Sequence, residues 1–183
     1  MAYKKILKLK VKNLLILFAI AAFFLLILKP SFASSPYVLP YPSSMPGSSI
    51  YKFHLIYEKL SEFKYFGDFG RYKYNLRYAD KYLVEAKTLF EYNQYLLGYK
   101  ALEKSNIYFE KIRPSLQSAS INSKNISEKN ITLSQAAEKH EEILESMKIN
   151  TPTTFNWQPE KSSPTVLSIH ELIGKSIMIR KNK

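Results

Sequence analysis

Apolar and small side chains recur at helical spacing through the middle of this chain. Steps of three and four residues separate them, which places them on one face of a helix with about 3.6 residues per turn. The first stripe consists of Tyr72, Leu76, Ala79, Leu83, Ala86 and Phe90. The second stripe consists of Tyr95, Gly98, Leu102, Ser105, Phe109 and Ile112. A short polar stretch, residues 91–93, separates the stripes, so the pattern predicts an antiparallel helical hairpin.

Two more amphipathic helices are predicted, one before the hairpin and one after it. The earlier stripe is Ile50, Phe53, Ile56, Leu60 and Phe63. The later stripe is Leu133, Ala136, His140, Ile143 and Met147. Short helices are marginally stable alone, whereas burying a large apolar side chain contributes about 1.5–3 kcal/mol. We therefore expect the stripes to face one another in an all-α domain over residues 50–149, a small bundle of about four amphipathic helices.

Composition marks the segments around and within this domain. Residues 34–49 hold four prolines and no charge, which predicts a spacer. The alternative is an extended arm that packs against the helices, through Tyr37, Val38, Leu39 and Tyr41. Residues 115–131 are rich in serine, asparagine and lysine and are predicted to be a mobile linker. Residues 150–183 form a proline-containing connector and an apolar, basic tail, in which residues 165–180 fit either a helix or a strand.

Residues 1–33 have the pattern of a membrane-targeting leader. Five lysines among the first twelve residues precede fifteen apolar residues, Leu14–Leu28, and then the small residues Ser31 and Ala33. This order predicts a signal peptide cut before Ser34. An uncleaved signal anchor is the alternative, although a membrane span needs about 20 apolar residues. Either outcome sends residues 34–183 out of the cytoplasm, secreted or membrane-anchored.

The basic net charge does not indicate a nucleic-acid-binding protein. Six of the basic residues behind the net charge of +12 lie in the leader, which leaves +6 for the rest. Residues 51–113 mix 12 basic with 8 acidic residues, so no concentrated basic face is recognisable. The chain has no cysteine, which excludes disulfides, a thiol nucleophile, cysteine-ligated zinc and a lipoprotein anchor.

Short motifs that carry chemistry in other proteins are incomplete here. Asp68-Phe69-Gly70 matches a kinase tripeptide without the other kinase motifs. His140-Glu141-Glu142 lacks the second histidine of a zinc protease, because position 144 is Leu144. The remaining candidate carboxylates are spread outward around one predicted helix, and they are Glu138, Glu141, Glu142 and Glu145. No catalytic, cofactor-binding or metal-binding residue is predicted, and His140 is interpreted as a core histidine.

Tyrosine is the residue type that most favours an interaction surface. Tyr74, Tyr78 and Tyr82 form an i, i+4 row beside the first core stripe, and Trp157 is the only tryptophan. These four residues are the candidate surface for a peptide or glycan. The alternative is that the tyrosines occupy half-buried positions for which their amphipathic rings are suited.

Three blocks of the sequence resemble a family of exported bacterial domains of unknown function. They are residues 37–53 (YVLPYPSSMPGSSIYKF), residues 76–109 and residues 136–147 (AAEKHEEILESM). The resemblance implies a signal-bearing, extracytoplasmic and mainly helical protein, and it carries over no catalytic residue. The loop at residues 66–70 departs from the Asp-Pro version usual in that family.

Together these features predict a non-enzymatic envelope protein that binds a protein, a peptide or a wall component through the hairpin surface or the tail. A membrane-anchored sensor or regulator is the alternative. A third possibility is a cell-wall hydrolase, which requires Glu141 and Glu142 to converge in a cleft. The membrane is an expected partner, at least transiently through residues 14–28, whereas nucleic acid is not. The sequence does not define an oligomeric state.

Overall fold

A computed structural model describes residues 35–42, 44–161 and 163–182, so the predicted leader lies outside the described residues. The helices of the described part are α1 (Tyr51–Glu62), α2 (Gly67–Glu91), α3 (Tyr95–Glu110), α4 (Ile112–Ile121), α5 (Ser127–Asn150) and α6 (Ile169–Lys181). The strands are β1 (Phe155–Trp157) and β2 (Thr165–Leu167). The mainly helical character is confirmed. The all-α prediction is wrong in one respect, because β1 and β2 pair antiparallel with Phe155 opposite Leu167.

Helices α2 and α3 form the predicted antiparallel hairpin at the centre of the fold. All six residues of the first stripe are buried. In the turn Asn93 adopts a left-handed φ of 59°, a conformation that asparagine tolerates better than most residues. Gly98 lies against the Phe90 ring, where an added Cβ would come within 2.9 Å. The absence of a side chain at Gly98 therefore lets the two helices approach closely.

The core lies where α2 and α3 meet α5 and α6. One cluster of buried side chains joins residues of these four helices and β2. A second cluster joins α2, the end of α3, α4 and the first half of α5. The predicted stripe of α5 faces this core, with His140 fully buried. Helix α5 begins at Ser127, six residues before Leu133, the first residue of the predicted stripe.

The prediction of a mobile linker over residues 115–131 is wrong for most of its length. Helix α4 occupies its first part, and only residues 122–126 connect α4 to α5. Pro114 lies in the first turn of α4, where its missing N–H has no helical partner to lose. Leu116 is buried in the second cluster, and Ala119 is buried one turn later in the same helix. Two well-placed apolar residues therefore outweigh the polar composition around them.

Asp68, in the first turn of α2, holds the end of α4 and the residues that follow it in place. Its carboxylate accepts hydrogen bonds from Ser118 Oγ at 2.7 Å, Asn122 Nδ2 at 3.0 Å and Lys124 Nζ at 2.9 Å. These hydrogen bonds, with the Lys124 ammonium first among them, hold the pKa of Asp68 well below its usual value. The carboxylate therefore stabilises the fold above the ordinary pKa of aspartate and loses this effect as the pH falls toward the lower, folded-state pKa.

Asp68→Asn is expected to lower the urea midpoint of unfolding at pH 7. The difference from the parent protein should shrink at pH 3, because the unfolded parent then takes up a proton at Asp68. Urea titrations at both pH values measure this. Glu142→Gln is the control, since Glu142 forms only a surface pair with Lys139 and such pairs contribute little. A difference that is equal at both pH values contradicts the role assigned to Asp68.

The segment predicted as a spacer, residues 34–49, follows the body of the protein over part of its length. Ser35 Oγ donates to the Gln135 carbonyl at 2.7 Å, and Tyr37 OH donates to Asp80 Oδ2 at 2.6 Å. Leu39 packs on the first cluster. Val38 and Tyr41 are exposed. The extended-arm alternative therefore describes this segment better than a free spacer does. Of the four side chains it named, Tyr37 and Leu39 contact the body and the other two do not enter it.

The C-terminal tail, left open between helix and strand, contains both. Strand β2 covers Thr165–Leu167, and α6 begins two residues later. Buried Leu167 and Ile169 bring this junction into the core. Helix α6 packs against α5 and α3, which places the end of the described chain in the bundle.

Candidate functional site

Helix α1 is packed with its apolar stripe outward. The side chains predicted to enter the core are exposed instead, with Phe53 at 71% and Phe63 at 81% of their accessible surface. The outward stripe consists of Ile50, Phe53, Ile56, Leu60 and Phe63, which we call the α1 outer face. The inward side is polar, and Glu58 retains only 6% exposure. The helix prediction is confirmed, but the predicted direction of its apolar stripe is wrong.

A layer of tyrosine hydroxyls provides the physical reason for this orientation. Glu58 Oε1 accepts hydrogen bonds from Tyr82 OH at 2.8 Å and from Tyr108 OH at 2.9 Å, and Glu58 Oε2 lies 3.1 Å from Lys81 Nζ. Ser61 Oγ lies 2.8 Å from Tyr78 OH. A polar helix side thus finds partners at a surface built of tyrosines, which satisfies its buried polar atoms.

A second buried carboxylate lies at the start of this layer. Glu85 Oε1 accepts a hydrogen bond from Tyr51 OH at 2.7 Å. Glu85 Oε2 has no hydrogen bond within the described residues and lies 3.9 Å from Lys81 Nζ. Burial raises the pKa of Glu85. Burial, followed by the charge of Glu58, raises the pKa of Tyr82 and Tyr108, so both phenols act as neutral donors.

The predicted tyrosine surface is therefore not a surface. Tyr74, Tyr78 and Tyr82 are buried beneath α1, with Tyr82 stacked on Tyr108 at a centroid distance of 5.7 Å. The alternative of amphipathic tyrosines at half-buried positions is closer, although the three side chains are buried more fully than it states. Trp157 is half-buried in β1, away from this row in the sheet with β2. The structure brings the three tyrosines together and does not bring the tryptophan to them.

An open groove of about 610 Å³ borders α1 on the side of the arm. Its apolar wall includes Tyr41, Phe53 and Tyr57, and Arg77 and Lys81 contribute positive charge. A second groove, of about 480 Å³, borders the opposite edge of α1. It contains further basic residues, namely Lys59, Lys104 and Lys111. The α1 outer face is thus an apolar ridge with cationic side chains along both edges.

A separate polar network lies inside the bundle, around His140. Its Nε2 is 2.7 Å from Asp80 Oδ1, and its Nδ1 accepts a hydrogen bond from Arg180 Nε at 3.4 Å. These contacts require a neutral imidazole with its proton on Nε2. Burial lowers the pKa of His140 and outweighs the effect of Asp80. The interpretation of His140 as a core histidine is confirmed.

Arg180 joins this network to α3 and to its own helix. Its guanidinium donates to Asn106 Oδ1, to Ser105 Oγ at 2.8 Å and to the Ser176 carbonyl at 3.1 Å. The guanidinium carbon Cζ lies over the Phe109 ring, 4.8 Å from the ring centroid. Burial lowers the pKa of Arg180 to about 9, which leaves it charged at neutral pH. Each donor group is satisfied inside the core, so the network is suited to fixing α6 rather than to chemistry.

The candidate carboxylates of α5 do not converge in a cleft. Glu142 pairs with Lys139 at 2.8 Å on the outer side of the helix, and Glu138 and Glu145 are exposed. Among the described residues, no group of three histidine or acidic side chains is placed to hold a metal ion. In the same part of the chain, none of the helices has the length and apolarity needed to cross a bilayer.

Sequence reasoning missed the α1 outer face because helical periodicity identifies a stripe without its direction. One signal was present in the sequence. The inward positions Tyr51, Glu58, Ser61 and Tyr65 also recur at helical spacing and are all capable of hydrogen bonding. The tyrosine row on α2 offers a matching set of hydroxyls, so the two polar rows together indicate a polar contact.

Comparisons with known proteins give no relative for this chain. No family model matches the sequence, and no curated protein and no solved structure is significantly similar to it.

Proposed function

We propose that this chain is a non-enzymatic extracytoplasmic interaction protein whose binding surface is the α1 outer face. The observation that carries the proposal is the orientation of α1, which buries a carboxylate and exposes five large apolar side chains. A contiguous apolar patch on a protein surface is a mark of an interaction site. The leader of residues 1–33 supports export, since a basic segment followed by an apolar one is typical of secretory signals.

The resemblance to exported helical domains agrees with this proposal and adds no chemistry to it. The runner-up, an anchored sensor, shares the same exported body and differs only in keeping residues 1–33. The proposed surface differs from the tyrosine row and the tail, because the tyrosines are covered by α1 and the tail belongs to the bundle.

Photo-crosslinking in the native host tests the proposal. A photoreactive amino acid at Ile56, in the middle of the α1 outer face, is expected to give covalent adducts to a protein, a glycan or a lipid. The same amino acid at Ile149 is the control, because Ile149 is an exposed apolar residue of α5, at 82% of its accessible surface. Equal adduct yields at the two positions, or none at Ile56, would overturn the proposal.

A further inference from the structure

The geometry and charge of α1 point to a specific occupant, and this inference rests on the proposed function. We propose that the α1 outer face binds the surface of an anionic lipid bilayer, with the helix lying in the plane of the headgroups. The face would act as a second membrane contact, separate from the predicted segment at residues 14–28.

The arrangement of side chains around α1 matches an interfacial helix. Interfacial helices insert an apolar face by about 5–10 Å and keep lysines beside it. At about 100° per residue, Lys52 and Lys59 follow one edge of the apolar stripe, and Lys64 follows two residues after the end of α1. All three lysines are exposed. Their long side chains can reach phosphate groups while the apolar stripe enters the bilayer.

The charges around α1 favour an anionic partner. Of the two acidic residues in α1, Glu58 points inward to Lys81 and the tyrosines, which leaves Glu62 as the exposed acid of this helix. Basic side chains of α2 and α3 add to both edges through the two grooves. A basic residue near an anionic bilayer surface contributes about 1 kcal/mol of attraction. A neutral partner would gain nothing from the exposed lysines of this face.

In the signal-anchor alternative, in which residues 1–33 are kept, the chain before the described body favours a bilayer over a soluble partner. Only residues 29–34 separate the end of the predicted membrane segment, Leu28, from Ser35, which is hydrogen-bonded to the body at Gln135. Six residues span at most about 20 Å. While the leader is in the membrane, the body therefore stays close to the bilayer, and the local concentration of lipid surface is high.

A single-cysteine experiment tests the inference on the full chain, because the sequence contains no cysteine of its own. Ile56→Cys carries an environment-sensitive fluorophore, and Ile149→Cys carries the same fluorophore as the control. The chain is reconstituted in phosphatidylglycerol-containing vesicles and in phosphatidylcholine vesicles. We expect a blue shift at position 56 in phosphatidylglycerol, quenching of that emission by bromolipids, and weakening of both in high salt. Position 149 should keep its emission in water.

A second variant measures the contribution of the apolar stripe. Phe53→Ser in the labelled Ile56→Cys chain is expected to reduce the lipid-contacting population about tenfold, since a large apolar side chain no longer enters the bilayer. Both residues are exposed in the folded body, so the helix keeps its inward contacts.

Two results would overturn the inference. In one, position 56 remains as polar as position 149 in anionic vesicles. In the other, the blue shift at position 56 grows with the amount of protein per vesicle and the emission is not quenched by bromolipids. That result identifies a second copy or another protein as the occupant. Adducts to protein in the crosslinking experiment would then preserve the proposed function, whereas their absence as well would remove both.

Discussion

Asp80→Asn is expected to lower the free energy of unfolding by about 3–5 kcal/mol, since it weakens two buried hydrogen bonds to a charged acceptor at about 1.5–3 kcal/mol each. Asp80 is buried in α2 and accepts hydrogen bonds from Tyr37 OH and His140 Nε2–H. The single carbonyl oxygen of an asparagine can replace the acceptor of only one of these two donors, and its N–H₂ group then faces the second donor. The change also removes a negative charge that favours the charged form of Arg180. Urea denaturation followed by circular dichroism measures the loss.

A double-mutant cycle with Arg180→Met isolates the charge interaction from the packing change. Methionine keeps an apolar stem of similar reach without the guanidinium. If Asp80 and Arg180 act through one network, the double variant should be more stable than the sum of the single losses implies, by at least about 1 kcal/mol. Strict additivity would show that the two residues contribute independently.

The matched control for this cycle is a buried residue outside the network. Leu83→Ala truncates a fully buried side chain of the same helix. It should lower the free energy of unfolding by about 2–5 kcal/mol. Combined with Arg180→Met, its loss should be additive, since Leu83 belongs to the first cluster of apolar side chains and Arg180 to the polar network around His140. Coupling of equal size in both pairs would indicate a general weakening of the bundle rather than a specific interaction.

The hairpin could be predicted from sequence because its energetics are local and one-sided. Tyr72, Leu83 and Phe90 lie on one stripe, and the neighbouring stripe on α3 begins at Tyr95, after the four residues 91–94. Two apolar stripes joined by a short turn have one good way to bury each other. The same reasoning placed His140 in the core, since a lone histidine on an apolar stripe has the core as its simplest environment.

The interaction face could not be predicted because it depends on partners distant in sequence. Glu58 is buried only because Tyr82 and Tyr108, 24 and 50 residues away, supply hydroxyl donors. Without those donors the buried carboxylate would be costly, and the apolar stripe of α1 would be the better side to bury. A periodicity analysis weighs apolar side chains and assigns no value to such a polar layer.

The segment predicted to be a mobile linker shows that polar composition alone does not exclude an ordered helix. Residues 115–131 contain enough serine and asparagine to resemble a linker, but Leu116 and Ala119 are buried side chains of α4. Asp68, some 50 residues earlier in the chain, supplies the acceptor for Ser118 and Asn122. A polar segment becomes ordered when a distant charge satisfies its donors, which a single sequence does not reveal.

Glu58→Leu is expected to release α1 from the hairpin at a cost of about 3 kcal/mol. The substitution leaves the hydroxyls of Tyr82 and Tyr108 without their acceptor, at about 1–3 kcal/mol for each buried unsatisfied group. Lys81 loses its closest carboxylate at the same time. Because α1 is held mainly by side-chain hydrogen bonds of this layer, the loss should be local. Hydrogen exchange should accelerate in α1 while the amides of α2 and α3 keep their protection.

Glu62→Leu is the matched control, since it makes the same chemical change one turn later at an exposed position of α1. It should leave exchange in α1 close to that of the parent, because surface substitutions of this kind change stability by about 0.5 kcal/mol or less. Glu58→Gln should fall between the two, because its amide oxygen still accepts from a tyrosine while its N–H₂ group faces Lys81. Equal exchange in the Glu58→Leu and Glu62→Leu variants would mean that α1 is not held by its buried carboxylate. The outward orientation of its apolar stripe would then lose its physical basis.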